Sequence, residues 1–356
     1  MHLIASGLIS LAQQARERAA LTLPYPSSLQ RGLNRLVLMC LRRDRQPPQG
    51  LMDLLAWCRK PLSTWGLELP DGSVDGAEQL LDGQIPTATC EAWARTGVDV
   101  EADLSEERLL LNVISVCKNA RDPQAYTAFR RMLIEQPVLT AFEYQLALAE
   151  PALDLLVDQL RAAYESAPPS AARNGQLAIC STCGNLLLRT QHDDLVCEDD
   201  MCRAQGHSEP ARLLSSRDEV VWLRRDLRRY IAAPGRAELR LANQFEAMGL
   251  QVDLWPVFDR YDLRVTFPDD VIWALDVKDW SNPFLLARSV NRKPFPTDPP
   301  WQRAFFVFPD ARRVQRPDYV RAFTNTCRIL SDRVGACFER DVLQRAEQKL
   351  KRGNHA

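Results

Sequence analysis

The sequence lacks several features that would settle its class at once. No stretch approaches the roughly 18 consecutive apolar residues of a membrane span, so no spanning segment is expected. The N-terminal segment carries no basic region ahead of its short apolar run. Gln13, Gln14 and Arg16 then interrupt that run, so no signal peptide is expected. Neither charge is in excess, with 45 Lys+Arg against 46 Asp+Glu. No repeat of fixed period is visible in residues 1 to about 166. What is present is ordinary for a globular protein: 46% hydrophobic and 26% charged residues, which excludes a disordered or fibrous chain. At 356 residues the chain exceeds what one hydrophobic core supports, so two or three domains are expected.

The near-zero net charge hides a division. Residues 211–356 hold 26 Lys+Arg and 19 Asp+Glu, which leaves 19 and 27 for residues 1–210. A basic half of this kind suits a polyanionic partner. Cysteine usage is divided as well. Cys40, Cys58, Cys90, Cys117, Cys327 and Cys337 are scattered through apolar, helix-like surroundings, the pattern of reduced, buried thiols in a cytoplasmic protein. The other four cysteines are clustered.

Residues 1 to about 166 read as helical. Apolar residues recur at helical spacing in Leu33–Leu41, Leu51–Cys58, Leu109–Ile114 and Phe129–Leu133. A small, proline-containing stretch around Pro168-Pro169 reads as a linker. Beyond it come Cys180-Ser-Thr-Cys183-Gly184 and Cys197-Glu-Asp-Asp-Met-Cys202. Two cysteine pairs flanking a short hairpin suit tetrahedral, structural Zn²⁺. The hairpin arms would be Leu186–Leu188 and Asp194–Val196. The pattern resembles a zinc ribbon, except that the second pair is CxxxxC rather than CxxC. That spacing leaves His192 or His207 as alternative fourth ligands. A redox CxxC is disfavoured, because no thioredoxin-like strand and helix surround it.

From residue 211 the character changes again. A basic helix is predicted over Arg217–Tyr230, followed by an amphipathic helix ending at Gly249. Strand-like runs follow at Gln251–Val257, Tyr261–Phe267, Val271–Val277 and Arg303–Phe308. Asp262 falls on one strand, and Asp276-Val277-Lys278 closes the next, with Asp276 and Lys278 on one face. A tight turn through Pro268-Asp-Asp270 would bring Asp262 beside them, and Glu238 on the preceding helix could reach the same cleft. Carboxylates around one point form a hard oxygen site suited to Mg²⁺ or Mn²⁺. A neighbouring lysine can orient or deprotonate a water and offset charge on a phosphate. These are the parts of metal-assisted phosphodiester hydrolysis. Arg224, Arg225, Arg228 and Arg229 on the basic helix, with Arg292 and Lys293 after the DxK strand, are candidate phosphate contacts.

The order Glu238 on a helix, then Asp262, then Asp276-Val277-Lys278 resembles the PD-(D/E)xK superfamily over residues 233 to 310. The resemblance implies a restriction-endonuclease-like fold. It implies Mg²⁺ held by Asp262 and Asp276, water assisted by Lys278, and Glu238 as a supporting metal or water ligand. Tyr261 stands where that motif often has proline. The layout, with the segment Ala274-Leu-Asp-Val-Lys-Asp-Trp280, further resembles the restriction-endonuclease subunit encoded beside prokaryotic PIWI-RE proteins. Those proteins are Argonaute-like and sit in three-gene defence islands with a helicase. This resemblance implies DNA cleavage in anti-phage or anti-plasmid defence, with the PIWI-RE protein and the helicase as partners. Independently of it, cutting both strands with one active site per chain suggests a homodimer. The rival readings are an inactive nucleic-acid-binding adaptor and a DNA-repair nuclease. The expected architecture is multidomain: an all-α N-terminal docking domain (1–168), a small zinc ribbon (176–210), and an α/β restriction-endonuclease-like C-terminal domain (211–350).

Overall fold

A computed structural model describes residues 1–16, 25–67, 78–83, 85–96, 105–189, 194–204 and 210–353. The chain forms two compact units. One comprises Met1–Ala102, Trp280–Pro294 and Gln315–Leu330; the other comprises Asp103–Asp279, Phe295–Val314 and Ser331–Ala356. None of the described helices is long and apolar enough to cross a membrane.

The first unit is helical. His2–Arg16, Ser27–Leu41, Leu51–Cys58 and Ala88–Arg95 bury Leu8, Leu36, Cys40, Leu54, Cys58 and Trp93 together. Pro283–Val290 and Tyr319–Thr326 belong to the same unit, and Leu285 enters its core.

The second unit is built on a five-stranded mixed sheet: β1 (Gln251–Leu254), β2 (Leu263–Thr266), β3 (Ile272–Val277), β4 (Arg303–Phe308) and β5 (Val334–Phe338). They lie side by side in chain order. β1 to β3 are antiparallel, whereas β3–β4 and β4–β5 are parallel. Alternation sorts the side chains. Leu263, Val265, Trp273, Leu275, Val277, Phe305, Val307 and Cys337 share a core with Ala237, Leu241 and Phe245 of helix Ala233–Ala247 and with Val342 and Ala346 of helix Glu339–Gly353. Asp276 therefore falls on the face of β3 away from that core. β5 lies beyond the strands expected from sequence. Its Val-Gly-Ala-Cys-Phe segment has no polar–apolar alternation, and parallel pairing with β4 makes it a strand.

The basic segment corrects the sequence reading. Val220–Leu223 is a strand, not part of a helix, and it is the central strand of a three-stranded sheet between Val138–Thr140 and Tyr164–Ser166. Two β-branched residues and a tryptophan gain two neighbours there, which outweighs the local helical periodicity. The N-terminal region is helical apart from strands such as these two. After Leu223 the chain forms a short turn, a π-helical stretch at Arg228–Ala232, and then the Ala233–Ala247 helix. Pro234, at the start of that helix, has no N–H to donate to the preceding turn.

Candidate active site and cysteine cluster

Asp262 is fixed by its backbone before its side chain acts. Its N–H donates to the Leu275 carbonyl at 3.0 Å, and its carbonyl accepts from Trp255 N at 2.8 Å. The β2–β3 register pairs Leu263 with Leu275, which sets Asp262 next to Asp276 as the turn through Pro268-Asp-Asp270 was expected to do. Asp262 Oδ2 accepts from the Val277 N–H at 2.6 Å. Lys278 Nζ donates to Asp276 Oδ1 at 2.6 Å, so these two side chains share one side of the strand end.

Glu238 is placed differently from the open ligand expected. It is 2% exposed, and Arg130 Nη2 donates to both its oxygens, at 3.0 and 2.9 Å. Trp255 Nε1 also donates to Oε2. Arg130 comes from helix Pro123–Glu135, and Gly235 makes its approach possible. A Cβ at Gly235 would lie 2.4 Å from Ile134 Cδ1, so a larger residue would require the buried Ile134 side chain to shift.

Arg130 also pairs with Asp259, and its Nη2 lies 3.7 Å from Asp262 Oδ1. Asp259 is delivered by a strained turn. Trp255, Val257, Phe258 and Asp259 all have positive φ, between 49° and 69°. Such left-handed backbone costs roughly 1–2 kcal/mol per residue. Packing holds it, with Phe258 edge-on to Tyr126 at 6.0 Å and the Arg130 guanidinium 4.7 Å from the Trp255 ring centre.

The electrostatics follow from these contacts. Burial, then the charges of Glu238 and Asp276, push the Asp262 carboxyl well above its usual range. Burial also raises Glu238, against the pull of Arg130. For Lys278 burial acts downward, but Asp276 and Asp262 outweigh it and hold the ammonium above the ordinary lysine range. Among the described residues, the four cysteines are the only group of three or more Cys, His, Asp or Glu whose ligand atoms all lie within 4.8 Å of one another. Glu238, Asp262 and Asp276 do not converge that tightly, since Glu238 is drawn to Arg130 and Asp276 to Lys278.

The sulfurs of Cys180, Cys183, Cys197 and Cys202 form a buried group that can hold a metal such as zinc. Cys180 ends strand Gln176–Cys180. Gly184, at φ 72°, turns the chain so that its N–H reaches the Cys180 carbonyl at 3.1 Å. The hairpin expected between the pairs is present, with Leu187–Arg189 antiparallel to Leu195–Cys197. The CxxxxC spacing has a local cause: Cys202 sits on a short helix, Asp200–Ala204, rather than in a second tight turn. Asp199 Oδ1 caps that helix, accepting from Met201 N at 2.8 Å and Cys202 N at 3.3 Å. The Cys183 and Cys197 sulfurs are 3.4 Å apart, near the ~3.8 Å edge of a tetrahedron with ~2.3 Å Zn–S bonds. His192 and His207 lie outside the described residues.

The candidate phosphate contacts divide. Arg228 is 3% exposed; it pairs with Glu198 at 2.8 Å and lies 3.6 Å from the Trp222 ring centre. Arg225 also pairs with Glu198, at 2.6 Å, and Arg224 with Asp226, at 2.7 Å. Arg229 is half-buried. Arg228 is thus a structural cation and not the open phosphate contact expected. Its charge holds Glu198, next to Cys197 of the cysteine cluster, and a phosphate would have to displace that carboxylate. Arg292 and Lys293 are exposed and belong to the first unit. Arg228→Ala should cost about 2–3 kcal/mol in chemical denaturation, since it removes a buried guanidinium packed on Trp222 and one of the two cations paired with Glu198, Arg225 remaining. Arg224→Ala should cost less than about 1 kcal/mol. Equal losses would contradict this division.

Arg130, Asp259 and Trp255 were not singled out from sequence. One signal existed: Arg130 occupies a buried position within the apolar stripe of Tyr126, Phe129, Leu133 and Ile134.

Two family models match the chain. The model described as pPIWI_RE three-gene island domain Y matches residues 1–140. The model described as REase associating with pPIWI_RE matches residues 235–354. No curated protein matches.

Proposed function

We propose that the chain, which carries matches both to domain Y of the pPIWI_RE three-gene island and to the REase associating with pPIWI_RE, is a metal-dependent endonuclease acting on DNA in a prokaryotic defence complex. One observation carries the reading: Asp262, Asp276 and Lys278 meet at the end of β3, inside the REase match, with Asp262 tied to the Val277 N–H and Lys278 to Asp276. The family match favours defence over general DNA repair.

The residues fit a divalent cation. Glu238, Asp259, Asp262 and Asp276 face two cations, Arg130 and Lys278, which leaves a formal charge of −2. The donors at Asp262 and Asp276 are oxygens, the set that Mg²⁺ prefers. These two carboxylates would hold the ion, which supplies Lewis-acid polarisation of the scissile phosphate. Asp262 is oriented by the Val277 N–H. Lys278, its ammonium held to Asp276, serves as a donor that orients the attacking water and offsets charge on the phosphate. The four cysteines hold zinc in a structural ribbon. Lys293 and Arg292 are exposed cations proposed to meet a nucleic acid, although the Arg292 guanidinium also donates to the Thr96 carbonyl, and the pPIWI_RE protein and the island's helicase are the proposed partners.

Supercoiled plasmid incubated with the protein and Mg²⁺ should be nicked or linearised, and EDTA should stop the reaction. Absence of cleavage on any DNA or RNA, with the pPIWI_RE protein present, would favour the adaptor reading. Arg292→Ala with Lys293→Ala should leave stability within about 0.5 kcal/mol. It should flatten the salt dependence of DNA binding by about two units of slope. An unchanged slope removes this pair from the interface.

A further inference from the structure

The REase-matched acids depend on a residue from the part of the chain matched by domain Y. Arg130 lies within residues 1–140, whereas Glu238, Asp259 and Asp262 lie within residues 235–354. All four belong to the same compact unit. Arg130 is 4% exposed. It reaches both Glu238 oxygens, pairs with Asp259, and stops 3.7 Å from Asp262 Oδ1. A fixed positive charge therefore stands where carboxylates from a helix and a loop would otherwise face a second ion.

We propose that Arg130 is a built-in cation that fills the Glu238–Asp259 half of the acidic cluster and restricts the site to one divalent ion, at Asp262 and Asp276. The proposal rests on the reading of those two residues as metal ligands. Charge bookkeeping supports it: with Arg130 the cluster carries −2, matching one divalent ion, and without it −3, with both Glu238 oxygens released from the guanidinium. Phosphoryl-transfer sites with enough carboxylates hold two ions about 3.5–4 Å apart. Arg130 occupies that second place with a group that cannot dissociate. Lys278 cannot substitute for it, because its ammonium is committed to Asp276. Domain Y is then part of the nuclease site itself, and the segment 235–354 alone would present an over-charged pocket.

Mn²⁺ titration of the full-length, zinc-loaded chain, followed by the paramagnetic resonance of free Mn²⁺, tests this. Wild type should take up about one Mn²⁺, lost in Asp262→Asn; Arg130→Gln should take up about two; and Arg130→Gln combined with Glu238→Gln should return to about one. Arg130→Lys keeps the charge and should stay near one. Identical Mn²⁺ uptake by folded wild type and folded Arg130→Gln overturns the proposal. If Arg130→Gln is unfolded without metal, Mn²⁺ should restore its far-ultraviolet circular dichroism, and failure to do so overturns the proposal. Wild type that binds no Mn²⁺, or binds it equally in Asp262→Asn, instead overturns the underlying assignment of the metal ligands.

Discussion

Replacing Lys278 by alanine should slow plasmid cleavage by about 10²–10³-fold, and Lys278→Arg should recover only part of that loss. The expectation follows from the position of the ammonium. It is held 2.6 Å from Asp276 Oδ1, and Asp276 and Asp262 favour its charged form against the downward pull of burial. A group kept cationic contributes by donating to the water and to the phosphate as charge develops, and that contribution vanishes with the side chain. A guanidinium keeps the charge but is planar and longer, and so cannot occupy the same point beside Asp276. Asp262→Asn should be at least as damaging, about 10³-fold, because it removes a proposed ion ligand while preserving shape. Gel assays under single-turnover conditions measure both. Cleavage by Lys278→Ala at the wild-type rate would remove this lysine from the chemistry.

The second large effect concerns the cysteines. Metal analysis should find about one zinc per chain, and Cys197→Ser should lose it together with much of the fold of the 176–215 region, because structural zinc contributes on the order of 10 kcal/mol to such modules. The size of the effect follows from what little else is there. The small core at this site consists of Ala178, Leu187 and the four cysteines themselves, with Leu195 against it. Four thiolates this close repel one another unless a cation binds them. The damage should also spread. Asp199 pairs with Arg236 on the Glu238-bearing helix, and Glu198 pairs with Arg225 and Arg228. Chelation should therefore lower the melting temperature of the second unit's sheet as well as of the ribbon. Far less than one zinc per chain, or an unchanged melting curve in Cys197→Ser, would contradict this account.

Sequence proximity explains which parts of this structure could be read in advance. Asp262 and Asp276 sit on adjacent strands joined by a short turn, so two-residue alternation and a turn signal sufficed to bring them together. The same holds for the hairpin between Leu187 and Cys197. Val220–Leu223 was misread because its partners, Val138–Thr140 and Tyr164–Ser166, are remote in the chain. Helical periodicity is a local property and carries no trace of them. The arginines show a similar limit. Four of them within six residues look like a phosphate-binding surface. Yet Arg225 and Arg228 are turned toward Glu198, a residue 27 to 30 positions earlier. Arg130 is the extreme case, 108 positions from Glu238. Glu238 was therefore read as a ligand open to the cleft, when its charge is already matched by an arginine.

Asp276, with Asp262, is the proposed hydrolytic centre. The most direct test is cleavage of supercoiled plasmid by wild type and Asp276→Ala, purified in parallel and assayed with Mg²⁺ in the presence of the pPIWI_RE protein. Nicked and linear products are expected from wild type, and a loss of about 10³-fold or more in the variant. Equal cleavage by the two proteins would contradict this assignment.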